Sequence, residues 1–173
     1  FVVIINGEGE YVWAKEVPVN EDLLHGDFLS EVLLTYNRTR LSFFRFSNID
    51  TNIATLHEVG LDGTDLNSVA VPGWHVSFTE VEPGLYAGLS FEYHTFPDGH
   101  TVYGDVITEL RSDGTLTKIW SIFDTFPADQ ESVFYSSNLD DWAHTNYLTY
   151  DANRNKYLAT IVRFNAAIQV DRN

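Results

Sequence analysis

The sequence predicts an all-β protein built from β-propeller blades, with about three four-stranded antiparallel blades. Three observations carry this. Of 173 residues, 44% are hydrophobic, and 12 Phe, 9 Tyr and 4 Trp stand among many Val, Ile and Thr, a composition that suits pleated, half-buried strands. Turn glycines Gly9, Gly63 and Gly114 recur at spacings of about 50 residues, each between two apolar runs. A second set of hairpins fills the intervals, giving about four strands per repeat, the size of a propeller blade.

The elements follow in order. Val2-Val3-Ile4-Ile5, the turn Gly7-Glu8-Gly9-Glu10 and Tyr11-Val12-Trp13 make the first hairpin. Thr55 to Val59 turns through Leu61-Asp62-Gly63-Thr64 into a strand reaching Val71. Val106 to Leu110 turns through Ser112-Asp113-Gly114-Thr115 into Leu116 to Trp120. The intervening hairpins are Glu31 to Phe46, turning near Asn37, His75 to Glu92, turning at Pro83-Gly84, and Asn146 to Phe164, turning at Asp151-Ala152-Asn153. Asn20 to Leu33 is the one short helix expected. The chain reads as a single partial propeller domain, 1–173, with repeats at 1–50, 51–101 and 102–165 and the next unit starting at 166–173. A three-sheet protein or a β-sandwich with similar hairpins is the alternative.

Charge and composition exclude several functions. The net charge is −15, and only ten Lys and Arg are spread along the chain. A nucleic-acid groove or an anionic membrane surface is therefore not an expected partner. The absence of cysteine excludes disulfides, thiol catalysis and cysteine metal sites. No apolar run approaches the roughly 18–20 residues of a membrane-spanning helix. Phe1 already opens a strand, so the start reads as an internal cut or a processed end, and the chain as a fragment. Unclosed blades leave strand edges that invite association, as in a homo-oligomer.

The constellation with most chemistry is Asp141-Trp142-Ala143-His144-Thr145-Asn146, followed by a strand, a turn and Arg163. On an extended strand His144 and Asn146 share a face, and a returning hairpin brings the Arg163 guanidinium beside them. Together they supply donors and positive charge for a sulfate or phosphate oxyanion. A buried His and Asn serving backbone groups is the competing reading.

Trp-x-His-x-Asn, then Tyr150-Asp151, then Arg163 on the next strand resembles the arylsulfotransferase family. Val71-Pro72-Gly73-Trp74-His75 with Phe78 and Pro83-Gly84, Gly104 to Glu109, and Trp120-Ser121-Ile122-Phe123-Asp124 strengthen the resemblance over about 55–173. It implies a six-bladed propeller that moves a sulfuryl group from an aryl sulfate to a phenol without a cofactor, in the periplasm or outside the cell. His144, Asn146 and Arg163 would bind the sulfuryl oxygens, and His75 would line the central funnel. His75-Val76-Ser77-Phe78 departs from the His-His-Asp-Phe of many relatives. The family's nucleophilic His lies in a later blade, beyond Asn173, so the resemblance implies a chain inactive alone.

Weaker signals read as surface structure. Asp62-Gly63-Thr64-Asp65, Asn138-Leu139-Asp140-Asp141 and the Asp98 to Asp105 loop read as solvated turns rather than calcium loops. Asn37-Arg38-Thr39 is a chance glycosylation triplet, and Glu8, Glu10, Glu80 and Glu82 are a solvated strand face rather than glycosidase carboxylates. Two other functions compete with the enzyme: a non-catalytic ligand- or protein-binding propeller, and a propeller hydrolase or lyase acting on another anion or a sugar.

Overall fold

The computed structural model describes residues 1–17, 27–47, 50, 52–111, 113–126 and 140–173. Strands β1 (Val2–Ile5) and β2 (Tyr11–Lys15) form a two-stranded hairpin. The first sheet holds β3 (Asp27–Leu29), β4 (Leu33–Leu34), β5 (Arg40–Ser47), β6 (Ala54–Gly60) and β7 (Asp65–Ala70), with β3 and β4 both pairing with β5. The second is an antiparallel meander of β8 (His75–Glu82), β9 (Leu85–Thr95), β10 (Thr101–Leu110) and β11 (Leu116–Ser121). The third contains β12 (Thr145–Asp151), β13 (Lys156–Ile161) and β14 (Ala166–Asp171). The fold is all-β, made of small antiparallel sheets of the propeller-blade kind.

Turn chemistry sets the hairpins. Gly63, Gly99 and Gly114 all have φ near +90°, a conformation glycine adopts without a Cβ clash. In each turn an aspartate precedes the glycine and accepts from the amide two residues on: Asp62 from Thr64 at 2.9 Å, Asp98 from His100 at 3.0 Å and Asp113 from Thr115 at 2.9 Å. The aspartates of these turns are therefore turn formers.

Two expectations are corrected. The repeat boundaries cut sheets in half: β5 pairs with β6 from Arg40↔Gly60 to Phe46↔Ala54, and β9 with β10 from Thr101↔Thr95 to Leu110↔Tyr86. The sheets instead begin near residues 27, 75 and 145, because the Asp-Gly turns of Gly63 and Gly114 join the third and fourth strands of a sheet. The helix expected over Asn20 to Leu33 does not form in its second half. There Phe28 stacks on Phe46 across β3 and β5, with ring centroids 5.6 Å apart, so pairing with a long neighbouring strand outweighs helix propensity. Residues 20–26 lie outside the described residues. Among the described residues the helix present is a single turn, α1 (Ile122–Thr125), closed by a capping box between Ser121 and Asp124.

The sheets pack face to face, and period-two alternation sends successive side chains to opposite neighbours. On β6, Ala54 and Leu56 join the cluster shared with the second sheet, whereas Val59 joins the one shared with the β1–β2 hairpin. On β9, Tyr86 faces the first sheet while Ala87 and Leu89 face the third. Trp74 lies flat over Gly88, where any Cβ would overlap its ring, and its indole N–H donates to Thr108 Oγ1 at 2.8 Å. The first strands of the second and third sheets, β8 and β12, pack against each other, and this places the starts of both strands at one site.

Candidate functional site

Both histidines of interest stand where a first strand begins, beside an irregularity. His75 opens β8, and the next residue, Val76, has φ +59°, a rare state for a β-branched residue. The pairing register of β8 shifts between His75 and Phe78. His144 itself has φ +55° and immediately precedes β12, whose register shifts between Thr145 and Tyr147. Bulges and positive φ cost free energy and redirect side chains, and they concentrate at functional sites.

The two strand starts open on a cavity of about 550 Å³. Phe28, Phe46, Phe91, Tyr93, Tyr103 and Trp74 supply an aromatic wall, while His75, Asp105, Asp141, His144 and Thr145 supply a polar one. Asp105 on β10 is buried and ties the polar side together. Its Oδ1 meets His75 Nε2 at 2.9 Å, and its Oδ2 accepts the Thr145 amide at 2.8 Å. One carboxylate thus fixes the His75 ring and clamps the start of β12. The His75 ring also stacks on Phe91, with centroids 3.8 Å apart and planes 8° from parallel. Asp141 plays the matching part for His144. Its Oδ1 accepts the His144 amide at 3.1 Å, and its Oδ2 makes a short hydrogen bond to His144 Nδ1. Tyr103 holds this turn by backbone bonds, donating to the Asp140 carbonyl and accepting from the Trp142 amide, each at 2.8 Å.

The sequence-predicted residues divide. His75 and His144 line the one cavity. Arg163 does return across from the histidine, since the amides of Val162 and Arg163 donate to the carbonyls of His144 and Ala143 at 3.0 and 3.1 Å. Its side chain is not part of the cavity lining, but its charge acts on the Tyr103 phenol. Asn146 is exposed and is absent from the lining. The extended alternation expected for His144 and Asn146 is broken by the left-handed backbone at His144 and by the bulge, in which Asn146 is the extra residue.

Burial pushes the Tyr103 phenol up to about 12, helped by the charge of Asp141 and opposed by that of Arg163. Tyr103 therefore stays protonated at neutral pH and offers a donor rather than a charge. Among the described residues, two buried polar atoms beside the site have no hydrogen-bond partner: Thr145 Oγ1 and Arg163 Nε. Sequence reasoning missed Asp105, Tyr103 and Asp141 as site residues. Asp105 had a signal, a carboxylate among the apolar residues of a strand, but its partners lie 30 and 40 residues away.

The comparisons with known proteins point the same way. The family model for arylsulfotransferase (ASST) matches residues 51–173. No curated protein and no solved structure matches the chain significantly. The matched span contains the second and third sheets, both cavity histidines and the two aspartates that hold them, and the chain belongs to the arylsulfotransferase family.

Proposed function

We propose that the chain is part of an enzyme that transfers a sulfuryl group from an aryl sulfate to a phenol, and that the cavity between β8 and β12 binds the transferring group. One observation carries this reading: a cavity with an aromatic wall meets, at its polar side, two histidines each held by a carboxylate. Aryl rings stack favourably on such a wall, and Thr145 Oγ1 and a protonated His144 at the polar end can donate to sulfuryl oxygens.

In this reading His144 and Arg163 offset charge on the transferring oxygens. The unpartnered Arg163 Nε and Thr145 Oγ1 fit the same picture, because buried polar groups are normally bonded and an oxyanion supplies acceptors. Asn146 contributes from the rim at most, given its exposure. The sulfuryl group is carried between donor and acceptor on a histidine of a later blade in a completed six-bladed propeller, giving ping-pong kinetics. No organic cofactor takes part, and the protein works in the periplasm or outside the cell.

The test is sulfuryl transfer from 4-nitrophenyl sulfate to phenol, run on the longer parent protein and on the 173-residue chain in parallel. Transfer by the parent alone is the expected result. Within the parent, Arg163→Ala lowers kcat/KM by about 100-fold or more, the range for removing one transition-state donor. A folded parent inactive towards several aryl sulfates and phenols overturns the enzyme reading in favour of a binding propeller.

A further inference from the structure

We infer that the two cavity histidines have different tasks: His144, oriented by Asp141, carries the proton of the phenolic oxygen, whereas His75 is a fixed wall of the site. This deepens the proposed sulfuryl transfer and rests on it.

The distinction lies in their free nitrogens. Both ring nitrogens of His75 face oxygen acceptors, Nε2 the Asp105 carboxylate at 2.9 Å and Nδ1 the Gly73 carbonyl at 3.3 Å. The ring is 7% exposed and covered on one face by Phe91. Neither nitrogen offers a lone pair to the cavity. Nε2 is held by Asp105, which also anchors Thr145, and Nδ1 is directed at the Gly73 carbonyl. His144 is the opposite case. Its Nδ1 is engaged by Asp141, which also accepts the backbone amide of the same residue, so ring and backbone are held by one carboxylate. Its Nε2 has no hydrogen-bond partner among the described residues, and the side chain is 47% exposed on the cavity side. A carboxylate acceptor at Nδ1 selects the tautomer with hydrogen on Nδ1 and a lone pair on Nε2. That is the arrangement of an oriented general base.

The step balances as follows. The acceptor phenol loses its O–H proton to His144 Nε2. The freed electron pair forms the oxygen–sulfur bond, and the sulfur–nitrogen bond to the carrier histidine breaks with its pair left on that nitrogen. In the preceding half-reaction the carrier histidine's nitrogen forms the bond to sulfur as the donor's sulfur–oxygen bond breaks, and the protonated His144 gives its proton to the departing phenolic oxygen; the acceptor phenol's proton then restores it. Asp141 touches neither substrate and is a positioning residue. The other charged or titratable groups around His144 are Tyr103 and Asp105 on β10, His75 on β8, Tyr93 on β9, Asp140 in its own turn and Arg163 beyond β13.

Leaving-group dependence separates proton transfer from charge stabilisation. 4-Nitrophenol is a far stronger acid than phenol, so its departure needs little help, whereas phenyl sulfate needs a proton donor. Wild type, His144→Gln and Asp141→Asn of the parent protein would be compared with both donors at fixed phenol. The expected losses in kcat/KM for the donor, which in ping-pong kinetics reports the donor half-reaction alone, are about 100-fold or more for His144→Gln with phenyl sulfate, within the range of general acid catalysis, and at least tenfold smaller with 4-nitrophenyl sulfate. Asp141→Asn shows the same asymmetry at smaller size. Equal losses with both donors, in a wild type that does transfer, overturn the proton-carrying role and leave the sulfuryl reading intact. A wild type inactive with both donors overturns both. Nitrogen NMR of the neutral His144 ring gives an answer independent of turnover: hydrogen on Nδ1 in wild type, shifting to Nε2 in Asp141→Asn. Hydrogen on Nε2 in wild type overturns the assignment.

Discussion

The sheets of this chain meet at three junctions, and the two that surround the functional cavity differ from the first. Between the first and second sheets, Tyr86 on β9 donates its hydroxyl to Glu58 on β6 at 2.8 Å. Between the second and third, Tyr157 on β13 donates to Glu109 on β10 at 2.6 Å. Glu58 and Glu109 stand at the same place, five residues before the turn glycines Gly63 and Gly114. At the junction with the β1–β2 hairpin the same place, counted from Gly9, holds Ile4, and Leu41 stands where Tyr86 stands, paired with the residue four before the glycine. Ile4 and Leu41 belong to one apolar cluster. Register thus keeps the position, and the residue types decide whether a polar latch or an apolar contact fills it.

The two latches also differ in where their cation comes from. Arg40 meets Glu58 at 2.9 Å from the adjacent strand of the same sheet, and Asn67 adds a bond at 3.2 Å, so the cation of this latch does not cross the junction. Arg172 comes from the end of the third sheet and reaches into the second, meeting Glu109 at 2.7 Å and Glu82 at 2.7 Å. Glu109 is 1% exposed, so its charge depends on that crossing. The junction of the second and third sheets is therefore tied by an ion pair between sheets, and that of the first and second by packing and by hydrogen bonds such as those of Tyr86 to Glu58 and of Ser77 to Glu31.

Three measurements would break or sharpen this contrast. The largest effect is expected from Arg172→Ala, which leaves a buried carboxylate with one hydroxyl donor and costs about 3–5 kcal/mol of stability in denaturant unfolding. Arg40→Ala should cost less, about 1–3 kcal/mol, because Glu58 keeps Tyr86 and Asn67. The reverse order would refute the account of the two junctions. Next come the hydroxyls. Tyr157→Phe and Tyr86→Phe should each cost about 1–2 kcal/mol. Combining Tyr157→Phe with Arg172→Ala should be non-additive, since both serve Glu109.

The smallest effect is a pH dependence. Burial pushes Glu109 up, but hydrogen bonds from Arg172 and Tyr157 and the Arg172 charge more than offset it, and its carboxyl lies below the usual glutamate range. A depressed folded value means the stabilisation is complete above the unfolded value, about 4.3, and is lost as pH falls through the folded one. The stability gap between wild type and Arg172→Ala should be constant above that pH and shrink below it. A gap that widened on acidification would show that Glu109 is not the group being held.

Much of this was legible in the chain. Alternating apolar residues and Asp-Gly turns determine strands and hairpins because both act over a few residues. The motifs around His75, His144 and Arg163 are short enough to be read from the chain alone. The grouping of hairpins into sheets was not, since a repeat looks the same from any starting point and only pairing shows that β5 joins β6. Nor could the sequence show that His144 leaves the extended backbone, that a bulge displaces Asn146, or that Asp105 serves His75 and Thr145. The last depends on contacts between residues 30 and 40 apart. Local propensity chose the strands, and packing between sheets decided which side chains share a cavity and which of their nitrogens remain free.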